Sequence, residues 1–127
     1  MKEWTSKWKG SKRPGKQRKF VAKAPLHARG SFLSAHLSRD LRAKHKCRNL
    51  RVRKGDKVKI MRGKFKGAAG SVEMVDVHNV RVFVSGASLT KKDGTKSLYP
   101  LHPSNLLITE LVADPRRFSG KISGEKK

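Results

Sequence analysis

Apolar and polar residues alternate through the middle of this chain in short runs separated by turn residues. Leu50 and Val52, then Val58 and Ile60, keep one register on either side of Lys54-Gly55-Asp56, which reads as a turn between two strands. From 70 to 77 two phases compete, Val72 with Met74 against Val75 with Val77, which is the pattern of a bulge or of a strand that changes faces. His78-Asn79 turns the chain, and Val80, Val82 and Val84 form the inner face of the next strand. Leu89 leads into Lys91-Lys92-Asp93-Gly94, whose Asp-Gly pair is a hairpin signal, and the return runs from Leu98 to Leu101. After a loop at His102-Pro103-Ser104-Asn105, Leu106, Ile108 and Leu111 supply a closing strand. Five or six short strands with tight turns predict a mainly β fold, a small curled antiparallel barrel over 49–113.

Upstream the period changes. Residues 25–48 predict helical pieces. Pro25 opens a short turn through Leu26, His27, Ala28 and Arg29 that Gly30 ends. Ser38 is a good N-cap for a second helix, with Asp40 in its first turn and Lys44 and Lys46 in its last. Leu37 and Leu41 would pack on the barrel, and Arg39, Arg42 and Lys46 would face outward. Residues 1–24 have no apolar period; with Gly10, Pro14 and Gly15 as breakers they predict a basic extended N-terminal arm. Trp4 and Trp8 stand out there. They share a face if the segment turns helical and would stack on unpaired bases or a neighbouring protein, or else they are ordinary contacts of a flexible end. Residues 114–127 read as a flexible polar tail. No internal repeat is visible.

Charge turns this small barrel into a binding module. The chain has 127 residues, 32 of them Lys or Arg against 9 Asp or Glu, for a net charge of +23 and a pI near 11.1. Such an excess repels itself and calls for an anionic partner. It is uneven: residues 1–54 hold 18 basic and 2 acidic side chains, and 55–127 hold 14 and 7. Aromatic residues make up only 6%, so the core is small, and part of the chain is expected to order on binding. Cys47 is the only cysteine, which excludes an internal disulfide and fits a reducing compartment. No apolar run approaches the roughly 18 residues of a membrane span, and the basic N-terminus lacks the apolar centre of a secretory signal.

The most informative stretch runs from Arg53 to Val84. Glycines at 63, 67 and 70 lie between two alternating strands, and Arg62-Gly63-Lys64-Phe65-Lys66-Gly67 occupies the bend. Glycine allows a sharp turn and a close approach of a partner's backbone, while the lysines and arginine put positive charge at that point. A basic, glycine-rich lip on a small barrel suits a phosphate backbone, although a solvated lysine loop on a generic barrel has the same composition. Catalysis finds no support. His27, His36, His45, His78 and His102 are scattered, no spacing resembles a zinc site, and His45 and Cys47 at a helix end have no orienting carboxylate. No cofactor, metal or small-molecule substrate is expected.

Gly-Asp-Lys-Val at 55–58, the basic loop at 62–67 and Gly70-Ser71-Val72 resemble a KOW motif, found in ribosomal proteins and transcription elongation factors. The resemblance extends further. Pro14 to Lys23, Ala24-Pro25-Leu26-His27, Leu33 to Lys46, Lys92-Asp93-Gly94-Thr95, and His102-Pro103-Ser104-Asn105 with Ile108-Thr109 occur in the order of a large-subunit ribosomal protein of universal family twenty-four, in its archaeal and eukaryotic form. It covers roughly residues 11–115. Length and a short tail look more archaeal.

This resemblance implies an SH3-like barrel bound to the 5′ domain of large-subunit ribosomal RNA early in assembly. It also implies a place beside the peptide tunnel exit, with neighbouring ribosomal proteins, in the cytoplasm. Residues 1–10, with both tryptophans, have no counterpart in the family. The expected RNA contacts fall in four groups. Lys12, Arg13, Lys16, Arg18, Lys19 and Lys23 form the arm; His27, Arg29, Arg42, Lys44 and Arg48 lie in the helical segment. Arg51, Arg53, Lys54, Arg62, Gly63, Lys64, Phe65, Lys66 and Gly67 lie around the rim, Phe65 either stacking on a base or covering the barrel mouth. Lys91 and Lys92 lie on the hairpin and face RNA or a tunnel-exit protein. Two other functions fit a small basic barrel: a KOW-type transcription elongation module, which would normally carry a second, less basic domain, and a DNA-compacting protein, which would show little preference for RNA.

Overall fold

A computed structural model of the chain describes residues 4–8 and 10–118. Its elements run α1 (Pro14–Lys23), α2 (Leu26–Phe32), β1 (Ser34–Leu37), α3 (Arg39–His45), β2 (Asn49–Arg51), β3 (Lys57–Ile60), β4 (Ala69–Asp76), β5 (Arg81–Val84), β6 (Ser88–Thr90), β7 (Lys96–Leu98) and β8 (Leu106–Glu110), with single 3-10 turns at Pro103–Asn105 and Pro115–Arg117. Six strands form one sheet in the order β2-β1-β8-β3-β4-β5, while β6 and β7 form a separate hairpin. The alternating valines and leucines do what their period requires. Leu50, Val52, Val58, Ile60, Val72, Val82, Val84, Leu106 and Ile108 are all buried in one core; between them Arg51 and Lys59 are exposed, and Phe83 and Leu107 half-buried. The two phases in 70–77 resolve as a register shift between Val72 and Met74. Beyond it Met74 is exposed, while Val75 and Val77 pack against the core.

The fold is mainly β and consistent with a small SH3-like fold, but its sheet is mixed. β1 pairs antiparallel with β2 and parallel with β8, and the described ladders do not close into a barrel; Val82 and Leu101 add an isolated bridge. β1 itself was expected to be helical. Ala35 and Leu37 are buried on either side of exposed His36, so the segment has a strand's period over only four residues.

Residues 14–23 and 115–118, toward either end of the described residues, are better folded than expected. Residues 14–23, expected as part of an extended arm, form a helix. Pro14 sits in its first turn, where a missing N–H costs nothing and the fixed φ suits the helix, so this proline starts structure instead of breaking it. Trp8 stacks on Phe20 at 4.5 Å between ring centroids and Trp4 at 5.2 Å, and the Trp4 indole N–H donates to the Phe20 carbonyl. Phe20 in turn meets Phe32 edge-on at 6.2 Å, which ties α1 to α2. Gly30 does not end α2; it lies buried inside it.

At the other end, residues 115–118 are not a loose tail. Arg117 is buried and ion-paired with the fully buried Asp56, and Phe118 stacks on His45 of α3 at 4.2 Å. The rest of the expected tail, 119–127, lies outside the described residues. α3 begins as expected, with Ser38 Oγ accepting from Leu41 N–H; Lys46 falls just past its end, as a left-handed C-cap with φ 51°.

Candidate nucleic-acid interface

The glycine-rich bend is a closed loop between β3 and β4. Ile60 N–H donates to the Ala68 carbonyl and Gly67 N–H to the Ile60 carbonyl, both at 2.8 Å, and Met61 N–H donates to the Asn105 carbonyl, anchoring the loop on the 3-10 turn before β8. Gly63 and Gly67 have φ of +92° and +89°, the left-handed region that side chains rarely adopt. A Cβ at either would meet nothing within 4 Å, so these glycines are required by backbone shape, and the space above them is open to a partner. Gly70 differs: a Cβ there would lie 2.6 Å from Ser85 Oγ and 3.0 Å from Gly86 N, so it permits β4 to approach the chain beyond β5.

Arg62, Lys64 and Lys66 project from the loop into solvent. Phe65 is half-buried, packs against the core and lies 5.3 Å from the Tyr99 ring, just beyond β7. That packing joins the loop to the base of the β6–β7 hairpin, whose turn exposes Lys91 and Lys92.

On the β2–β3 side, Arg51, Arg53 and Lys54 are exposed around a turn organised by Asp56. One carboxylate oxygen accepts from Arg53 N–H at 2.9 Å, the other from Val112 N–H at 3.1 Å, and both accept from the Arg117 guanidinium. Arg117 also donates to the Arg51 carbonyl at 2.9 Å. A groove of about 360 Å³ opens between α2, β2 and the C-terminal turn, lined by Gly30, Arg51, Arg53 and Arg116, and Arg53 pairs there with Asp114. A second, of about 540 Å³, lies beside Arg51, Arg53, Lys54, Glu73 and Met74.

The helical cations divide by role. Lys12, Arg13, Lys16, Arg18, Lys19 and Lys23 are exposed on and just before α1, as are His27, Lys44 and Arg48 farther along. Arg29 is instead a clamp. It donates to the Ala24 carbonyl at 2.8 Å, the Ala22 carbonyl at 2.7 Å and the His78 carbonyl, and so fastens both N-terminal helices to the β4–β5 turn. In that turn Asp76 accepts from the Asn79 side chain and backbone, which hold its carboxyl below the usual range. Arg42, expected to face outward, is half-buried, and its Nε has no hydrogen-bond partner among the described residues.

The chemistry beyond charge is sparse. Burial, and to a lesser extent the positive charge of Arg81, lower the pKa of His102, whose Nδ1 accepts from Ser104 N–H. Cys47 packs against the core and His45 is taken up by Phe118. Among the described residues no cluster of three His, Cys, Asp or Glu side chains could hold a metal ion, and no helix is long and apolar enough to cross a membrane. Arg116, Arg117 and the Trp4–Trp8–Phe20 stack went unread in the sequence; only Phe118, the one aromatic beyond Tyr99, hinted that the tail packs.

The chain is similar over residues 11–120 to the family described as the eukaryotic ribosomal proteins L26 and their archaeal counterparts. It is 52% identical over 107 residues to large ribosomal subunit protein uL24 of Methanosphaera stadtmanae, covering 84% of this chain and 92% of that protein. With large ribosomal subunit protein uL24 of Methanospirillum hungatei it shares 46% identity over 115 residues, 91% of this chain and 96% of the other.

Proposed function

The chain belongs to the uL24 family of ribosomal proteins, and from that premise we propose that it binds large-subunit ribosomal RNA through its glycine-rich loop and flanking arginines. It is a structural constituent of the large ribosomal subunit, a cytoplasmic particle, and its role there is not enzymatic. The finer reading places it on the 5′ domain of the RNA, early in assembly, near the tunnel exit and among the proteins there.

One observation supports RNA contact above the rest. The loop at 62–67 is held rigid by backbone hydrogen bonds, exposes Arg62, Lys64 and Lys66, and leaves open space over Gly63 and Gly67. Folded RNA crowds phosphates together; fixed cations at a rigid edge neutralise that repulsion and release condensed counterions, while the basic helix α1 adds charge that does not depend on sequence. The family match over residues 11–120 favours this reading over an elongation module, which would share the KOW stretch, and over a DNA-compacting protein, which would share the basic charge.

The test is binding to a 5′-domain fragment of large-subunit RNA, to an unrelated RNA of equal length and to duplex DNA across a salt series. The reading expects a preference for the ribosomal fragment that persists as salt rises. Equal binding to all three, lost together with salt, would leave charge as the only determinant and sink it.

A further inference from the structure

The groove between α2, β2 and the C-terminal turn has the chemistry of a specific receptor, and it is built by residues far apart in sequence. Arg51 lies across α2 at Gly30. A Cβ on Gly30 would stand 2.7 Å from Arg51 Nη1 and 2.8 Å from its Cζ, so the guanidinium occupies the space that a side chain on the helix would take. No hydrogen-bonding or ionic partner of its guanidinium is seen among the described residues, and the residue as a whole is exposed. Arg53 lines the same groove but is engaged by Asp114, and Arg116 adds charge from the following turn.

The walls are fixed from below. Arg117 reaches the buried Asp56 and the Arg51 carbonyl, which sets the backbone of β2 against the turn that carries Arg116. A planar guanidinium lying over Gly30 with its fork unpaired matches two oxygens of one phosphate.

We propose that this groove seats a single phosphodiester of the RNA backbone, with Arg51 as its forked contact, Gly30 as the platform that positions Arg51, and the Asp56–Arg117 pair as the strut that holds the groove together. The proposal rests on the RNA-binding reading above and names a site on it. It separates position from charge. A solvated surface arginine would tolerate any change that keeps its charge, whereas this one would not.

Two substitutions that leave net charge unchanged test it. Gly30→Ala displaces the guanidinium; the clashing atoms are the far end of the Arg51 side chain from β2, and alanine is favoured over glycine within α2, so thermal stability should stay level or rise. Arg51→Lys keeps the charge and removes the fork. Gly15→Ala is the control, the same change in an exposed helix where a Cβ meets nothing within 4 Å. Binding of all three and of the parent chain is measured on the 5′-domain fragment and on the unrelated RNA at fixed salt, with melting curves recorded alongside.

Gly30→Ala and Arg51→Lys should each weaken binding about tenfold, the scale of losing a hydrogen-bonded charge contact, with Gly15→Ala unchanged. Parent-like affinity for Arg51→Lys overturns the proposal. That variant alone decides the matter if Gly30→Ala melts early. A parent chain with no preference between the two RNAs would defeat the broader reading, while the ratio of variant to parent on either RNA still decides the groove.

Discussion

Replacing Arg117 with methionine should be the most damaging change in the last ten described residues. The Asp56 side chain is 0% exposed and that of Arg117 2%, so neither charge is shared with solvent. Removing the guanidinium leaves a buried carboxylate with two hydrogen-bond donors among the described residues, the backbone N–H groups of Arg53 and Val112. Breaking such a pair costs about 3–5 kcal/mol; the two remaining donors argue for the lower end, about 3 kcal/mol. That is a large part of the roughly 5–15 kcal/mol that holds a domain of this size together. Urea unfolding followed by circular dichroism measures it directly, in low and high salt, because a buried pair responds little to screening. The double variant Asp56→Asn with Arg117→Met should recover about 1–2 kcal/mol relative to the sum of the singles. Truncation after Asp114 should cost at least as much as Arg117→Met. A loss under about 1 kcal/mol for Arg117→Met, or strict additivity in the double, would refute the idea that this pair fastens the C-terminal turn to the sheet.

Three further outcomes follow from the same geometry. Gly63→Ala and Gly67→Ala should each cost about 1–2 kcal/mol through the left-handed backbone alone, whereas Gly70→Ala should cost about 1–3 kcal/mol through overpacking; relief of the Gly70→Ala loss by a companion Ser85→Ala would distinguish the two causes in melting curves. Trp8→Ala should unfasten the N-terminal segment from Phe20, seen as faster amide exchange in α1 with the exchange of β3 and β8 unchanged. For His102 the folded pKa lies below the unfolded 6.5, so stability is complete above that pH and falls as pH drops from about 6.5 through the folded pKa; His102→Asn, whose amide oxygen can take over the cap made by Nδ1, should flatten that slope in urea titrations at pH 7.5 and 5.5.

What the sequence made legible was local. The two-residue period of Leu50, Val52, Val58 and Ile60 names the inner face without help from any other part of the chain, and the clash of phases after Val72 announces the bulge. Ser38 and Asp93-Gly94 act through neighbours within a few residues, so the start of α3 and the β6–β7 hairpin could be read as well. The basic loop was visible for the same reason, since its glycines and cations are contiguous.

What remained hidden was distant or depended on a partner. β1 is a strand because β2 and β8 flank it, and its pairing with β8 joins His36 to Leu107 across half the chain. Asp56 and Arg117 are 61 positions apart, so neither the buried charge nor the ordered C-terminal turn leaves a pattern in either segment. Arg29 read as one more cation until the structure placed the His78 carbonyl against it. Pro14 reads as a breaker, but proline also begins helices; in the fold it opens α1, and Trp4 and Trp8 cover Phe20 on that helix.

The central claim is that this chain grips large-subunit RNA with the glycine-rich loop and the arginines beside β2. Ultraviolet crosslinking of the chain within assembled large subunits, with the crosslinked peptides and nucleotides identified by mass spectrometry, tests it most directly. The account predicts crosslinks from the peptides carrying Arg62 to Lys66 and Arg51 to Lys54, converging on nucleotides of the 5′ domain. Subunits that contain the chain but yield crosslinks only from residues before Pro14, scattered over unrelated RNA domains, would contradict it.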